Sequence, residues 1–142
     1  MSDLLQNIEV CTSDKPEIAV IWLHGLGADG FDFVPIVPEL RLAGTPVRFV
    51  FPHAPVRPVT LNGGCPLRAW YDIVSLDANG RADEAGIRES TQRVEGYIAE
   101  QIAAGLPSRR ILLAGFSQGG AVALHCALRH AQPLGGLIAL ST

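Results

Sequence analysis

Cysteine is scarce in this chain: only 3, at Cys11, Cys65 and Cys126, an odd number at wide spacing. They match no zinc or redox pattern, so they read as free thiols of a reducing compartment, and a cytoplasmic location is expected. Basic runs are absent. The 11 Lys and Arg stand against 14 Asp and Glu for a net charge of −3, which argues against nucleic acid and against an anionic membrane surface as partners. The opening residues MSDLLQNIEV lack a basic segment followed by an apolar one, so no signal peptide is expected. No apolar run approaches the length of a membrane span. No cluster of metal-ligating side chains occurs at ligand spacing, and no metal or organic cofactor is expected. Repeats, low-complexity tracts and linkers are missing as well, and 142 residues suffice for one core, so one domain is expected.

What remains is an α/β pattern. Residues 8–12 alternate and suit an edge strand. Residues 18–23 (IAVIWL), 47–51, 111–114 and 137–140 are apolar runs of the kind buried on both faces of a parallel sheet. Residues 32–42 suit a short helix, limited by Pro35 and Pro38. Residues 56–80 show no periodicity but carry Trp70-Tyr71-Asp72, and a loop of that length is either disordered or functional. Residues 83–104 form the clearest helix. Ile87, Thr91, Val94, Ile98 and Ile102 make its apolar stripe, Asp83 and Glu84 favour its start, Gly105 caps its end and Pro107 prevents continuation. The alternation predicts an α/β fold, mostly parallel, with helices on both faces.

The chemistry concentrates at residues 111–128, ILLAGFSQGGAVALHCAL. A strand leads into GFSQG at 115–119, and a helix follows. This is the G-x-S-x-G pattern in the strand–turn–helix context that gives it meaning. A serine on so sharp a turn adopts a strained backbone, so Gly115, Gly119 and Gly120 must leave room around it. Ser117 then projects at the carboxyl end of the sheet as a candidate nucleophile, with the N–H of Gln118 as one oxyanion donor. The second donor is assigned to the N–H of Leu26 in the loop HGLGADG, which follows the strand at 18–23. The competing readings are a capping serine at 117 and a ligand-free tight turn at 24–30.

LHGLGADG at 23–30, FPHAP at 51–55, RAWYD at 68–72 and GFSQGGAVAL at 115–124 resemble, in order, the phospholipase/carboxylesterase group of α/β-hydrolases. That group includes bacterial carboxylesterases, lysophospholipases and acyl-protein thioesterases. The resemblance runs through nearly the whole chain. It implies the α/β-hydrolase fold and hydrolysis of short-to-medium acyl esters or thioesters through an acyl-serine on Ser117, with Leu26 and Gln118 forming the oxyanion hole. It implies a small-molecule ester as substrate and brings a homodimer into consideration. The loop bearing Trp70 would lie beside an apolar acyl pocket, with Trp70 serving either as substrate contact or as core anchor.

One departure stands out. The hydrolase triad runs Ser, then Asp or Glu, then His, yet after Ser117 this chain offers only His125 and His130 and no carboxylate residue. Both histidines lie on the following helix, carried away from Ser117 at ~1.5 Å per residue. His24 and His53 match motif positions that shape loops in the group. The apolar final strand also has nothing following it to pair with. The expectation is an N-terminal two-thirds of a longer hydrolase, the acid and base lying outside these residues. The alternative is a non-catalytic α/β module.

Overall fold

Three nearly continuous apolar runs set the centre of the molecule. IAVIWL, VRFVFP and ILLAGF become β2 (Ile18–Leu23), β3 (Val47–Pro52) and β6 (Ile111–Phe116), each largely buried. The computed structural model describes residues 6–77 and 82–142. With β1 (Asn7–Cys11) and β7 (Gly136–Leu140) these strands form a five-stranded sheet in the order β1-β3-β2-β6-β7. Only β1 is antiparallel to its neighbour.

The two-residue period of a strand sorts side chains to opposite faces. Ile21, Leu23, Val50, Ile111 and Leu113 pack on one face against α2 (Glu84–Ala103) and α3 (Gln118–Arg129). Val20, Trp22, Phe49, Phe51 and Ala114 pack on the other, with Val37 of α1 (Ile36–Glu39). Helices therefore cover both faces, as the alternation predicts. Among the described residues no helix is long and apolar enough to cross a membrane.

Three local expectations change. The helix at 32–42 contracts to the single turn of α1, because prolines at 35 and 38 have no N–H for the ladder. Turn bonds of the i→i+3 type carry the approach instead, from Asp32 N to Asp29 O through Val37 N to Val34 O. The region 56–80 is not uniformly irregular: β4 (Val56–Pro58) and β5 (Pro66–Arg68) pair as a hairpin around a 3-10 turn at Thr60–Asn62. Residues 78–80 of it lie outside the described residues. Among the described residues β7 has one side unpaired, as the sequence reading has it, with Ile138 39% and Leu140 37% exposed.

The third change concerns α2. Its ends match the sequence reading. The Asp83 carboxylate accepts from Gly86 N at 3.0 Å. At the other end Leu106 N bonds Gln101 O and Gly105 N bonds Ile102 O, a Schellman closure made possible by the positive φ of 105° at Gly105. The buried stripe, however, is Gly86, Ser90, Val94, Tyr97, Ile98 and Gln101, while Ile102 is 43% exposed. Polar members of that stripe have dedicated partners. Ser90 Oγ donates to the Trp70 carbonyl, and Gln101 Oε1 accepts from Arg48 Nη1 at 2.9 Å. Apolar periodicity does not register such partners.

Candidate active site

Parallel pairing of β2 with β6 decides where the motifs meet. Leu23 lies opposite Gly115, so the loop after β2 and the turn after β6 emerge side by side at the carboxyl end of the sheet. Open α/β sheets bind ligands at that end. Ser117 follows directly on β6 with φ 53° and ψ −115°, a left-handed conformation that costs a serine of order 1–3 kcal/mol. Two close approaches maintain it. A Cβ at Gly115 would overlap the backbone of Gly119, and a Cβ at Gly119 would overlap the carbonyl oxygens of Leu23 and His24. Ser117 N donates to Leu140 O at 2.9 Å, tying the turn to β7.

Ser117 stands at the N-cap of α3, yet its side chain makes no capping bond, and the residue is exposed. Its hydroxyl points away from the one role that a helix N-cap would give it. The helix start nevertheless directs its free N–H groups and positive dipole end toward the same region. Among the described residues, no loop or cap bond engages the N–H of Leu26 or of Gln118.

The Gln118 carboxamide is almost fully buried, 3% exposed. Its Oε1 accepts from Trp70 N at 2.8 Å and its Nε2 donates to Tyr71 O at 2.7 Å. Trp70 is 0% exposed, and its indole N–H donates to the His24 carbonyl at 2.8 Å. The ring therefore offers no face to a ligand, and of the two roles weighed for Trp70, substrate contact and core anchor, this burial fits the anchor. His24 is 1% exposed. Its Nδ1 lies 2.7 Å from Gly25 O and its Nε2 accepts from Ala54 N at 2.9 Å. Those partners fix the neutral tautomer with hydrogen on Nδ1. Burial pushes its pKa below the ordinary histidine value, against a smaller upward pull from the Gly25 carbonyl.

Beside Ser117 lies a cavity of about 320 Å³. It is open and of mixed lining: Ile73, Val74, Leu76, Ala82 and Ala121 supply apolar surface, and Tyr71, Gln118, Ser75, Ser141 and Thr142 polar surface. Burial raises the pKa of the Tyr71 phenol. At the rim, Asp72 takes hydrogen bonds from the hydroxyl and N–H of Thr60, which hold its carboxyl below the usual range. Asp83 accepts from Asp72 N at 2.9 Å, joining this loop to the start of α2. A larger cleft of about 490 Å³ between α2 and α3 includes neither Ser117 nor the Leu26 loop.

None of the four histidines is brought to Ser117 as a hydrogen-bond partner among the described residues. His24 has both ring nitrogens engaged, and His53 Nδ1 accepts from Gly30 N at 2.9 Å. His130 Nδ1 bonds Glu95 Oε2 at 2.7 Å, next to the buried Cys126 thiol, which donates to Glu95 Oε1 at 3.4 Å. His125 lines the distant α2–α3 cleft. No group of three or more His, Cys, Asp or Glu among the described residues is arranged to hold a metal ion. The arrangement provides a strained, exposed serine, backbone donors beside it and an open groove lined by both apolar and polar residues. Among the described residues no histidine or carboxylate is hydrogen-bonded to Ser117.

Comparison with known proteins bears on the family and the fold. A family model described as phospholipase/carboxylesterase matches residues 6–142. Acyl-protein thioesterase 1 of Cryptococcus neoformans is 36% identical over 145 residues, covering 100% of this chain and 61% of the relative. Acyl-protein thioesterase 1 of Mycosarcoma maydis is 42% identical, covering 90% of this chain and 58% of its own length. This chain thus spans about three fifths of the curated relatives it matches. Among solved structures, Arabidopsis thaliana SOBER1 superposes with a TM-score of 0.79 at 33% identity, over 84% of this chain and 59% of that one. Zea mays acyl-protein thioesterase 2 gives 0.69 at 27% identity, over 97% and 58%. The fold is the α/β-hydrolase fold, of which this chain covers part.

Proposed function

The chain belongs to the phospholipase/carboxylesterase family, and from that membership we propose that it serves a serine hydrolase of short-to-medium acyl esters or thioesters. Ser117 Oγ attacks the acyl carbon while a base removes its proton. The oxyanion that forms accepts from the N–H groups of Leu26 and Gln118. Collapse expels the alcohol or thiol and leaves an acyl-serine, which water then hydrolyses. The observation that carries this reading is the conformation of Ser117: φ 53°, exposed, and free of a capping bond at the head of α3. A structural serine has no reason to hold that strain.

The cavity of about 320 Å³ falls within the range of small-molecule sites, and its walls from Ile73 to Leu76 suit an acyl chain. The similarity to acyl-protein thioesterases favours a thioester of an S-acylated protein among the candidate substrates, with a lysophospholipid as the other member of the class. The base and its orienting acid are assigned outside the 142 residues, because the histidines here are engaged elsewhere or distant. That same observation favours a second reading, in which the chain by itself binds an ester without turning it over.

In the native-length protein a fluorophosphonate is expected to label Ser117. The Ser117→Ala change should abolish labelling and lower turnover of p-nitrophenyl butyrate by about 10⁴-fold or more. Turnover retained in that variant removes Ser117 as nucleophile. Absence of labelling in the unsubstituted protein gives the non-catalytic reading precedence.

A further inference from the structure

The residue after the nucleophile has a second task. We propose that the Gln118 side chain is a positioning residue: it clamps the segment 68–71 to the elbow, and that segment splints the loop carrying the Leu26 N–H. The proposal rests on the hydrolase reading and extends it from the main chain of Gln118 to its carboxamide.

Two bonds bracket Leu26. On one side the Trp70 indole donates to the His24 carbonyl at 2.8 Å. On the other, Gly27 N donates to Arg68 O at 2.9 Å. Both partners belong to the same short segment, so the loop is as well placed as that segment is. Gln118 fixes the segment in turn, through Trp70 N at 2.8 Å and Tyr71 O at 2.7 Å. The clamp therefore links both proposed oxyanion donors, the Gln118 amide by chain connectivity and the Leu26 amide through the splint. Such donors act at about 2.7–3.1 Å from the developing oxyanion, a window only a few tenths of an ångström wide, and a misplacement of about 1 Å costs on the order of 10²-fold in rate.

The chemistry singles out glutamine. One planar group must accept from the amide of residue 70 and donate to the carbonyl of residue 71. A carboxylate can do the first and repels at the second, methionine can do neither, and asparagine is one methylene too short. The bond from Trp70 N is buried and the one to Tyr71 O partly so, which limits how far water can replace them.

The test is Gln118→Glu in the native-length protein, read two ways at each pH. Hydrogen exchange at the amides of residues 24–28 is expected to run about tenfold faster than wild type near pH 8. In p-nitrophenyl butyrate turnover, kcat should fall about tenfold or more with KM nearly unchanged. Protonation of the new carboxyl restores a donor to Tyr71 O, so both variant-to-wild-type ratios should return toward one as pH falls toward about 5. A buried carboxylate would make a global loss of stability pH-dependent too, so the discriminating readouts are exchange confined to residues 24–28 and the fall in kcat at nearly constant KM. Exchange that matches wild type in the folded variant, or ratios flat with pH, overturns the proposal. Gln118→Met, which keeps the volume but neither polar atom, should show the faster exchange at every pH. Wild-type exchange there overturns the proposal even where Gln118→Glu fails to fold. If neither protein turns substrate over and the exchange pattern still appears, the hydrolase reading falls and the clamp stands.

Discussion

Trp70→Phe separates an anchor from a substrate contact. Trp70 is 0% exposed and its indole N–H is bonded to the carbonyl of His24, itself 1% exposed. Phenylalanine keeps most of the apolar packing but removes the donor, leaving a buried acceptor unpaired at a cost of about 1–3 kcal/mol. The smaller ring also leaves a void of roughly 40 Å³, worth about 1 kcal/mol at ~24 cal/mol per Å³. Together these predict a loss of about 2–4 kcal/mol, or a fall in Tm of about 7–14 °C for a chain of this size. Urea denaturation followed by far-UV circular dichroism measures it directly. An anchor lowers the midpoint with the slope unchanged. If the variant stays within about 0.5 kcal/mol of wild type while KM for an ester rises, the anchoring argument is refuted and the ring contacts substrate.

Two further outcomes are expected. Because burial depresses the pKa of His24, the unfolded chain binds that proton near pH 6.5 and the folded one only at lower pH. The unfolded state therefore takes up more protons in this window, and stability should fall as pH drops below about 6.5, by at most about 1.4 kcal/mol per pH unit. Protonation would also break the bond that Nε2 accepts from Ala54 N. Urea melts near pH 7 and pH 5.5 should show a steeper loss in wild type than in His24→Asn; equal losses contradict the assignment. For the thiols, Cys11 and Cys65 are exposed, whereas Cys126 is buried with its pKa raised by that burial. A chromogenic disulfide should titrate two thiols quickly and the third only on unfolding, and prompt reaction of all three would refute the burial.

The sequence determined whatever depends on near neighbours. Apolar runs set the strands at Ile18–Leu23 and Ile111–Phe116, Asp83 and Gly105 set the ends of α2, and GFSQG set the strand-to-helix turn with its strained Ser117. These follow from φ/ψ preferences, caps and two-residue or 3.6-residue periods, which act over a turn or less. Tertiary structure alone decided what depends on residues far apart in the chain. It rotated the buried stripe of α2 toward Ser90 and Gln101 and buried Trp70 among core residues. Gln118 shows why. Its carboxamide partners lie 47 and 48 positions upstream, and the indole of Trp70 reaches back 46 more to His24. No local pattern encodes such a bond, because it exists only once the sheet has brought β2 and β6 side by side and buried polar groups must find partners across the gap.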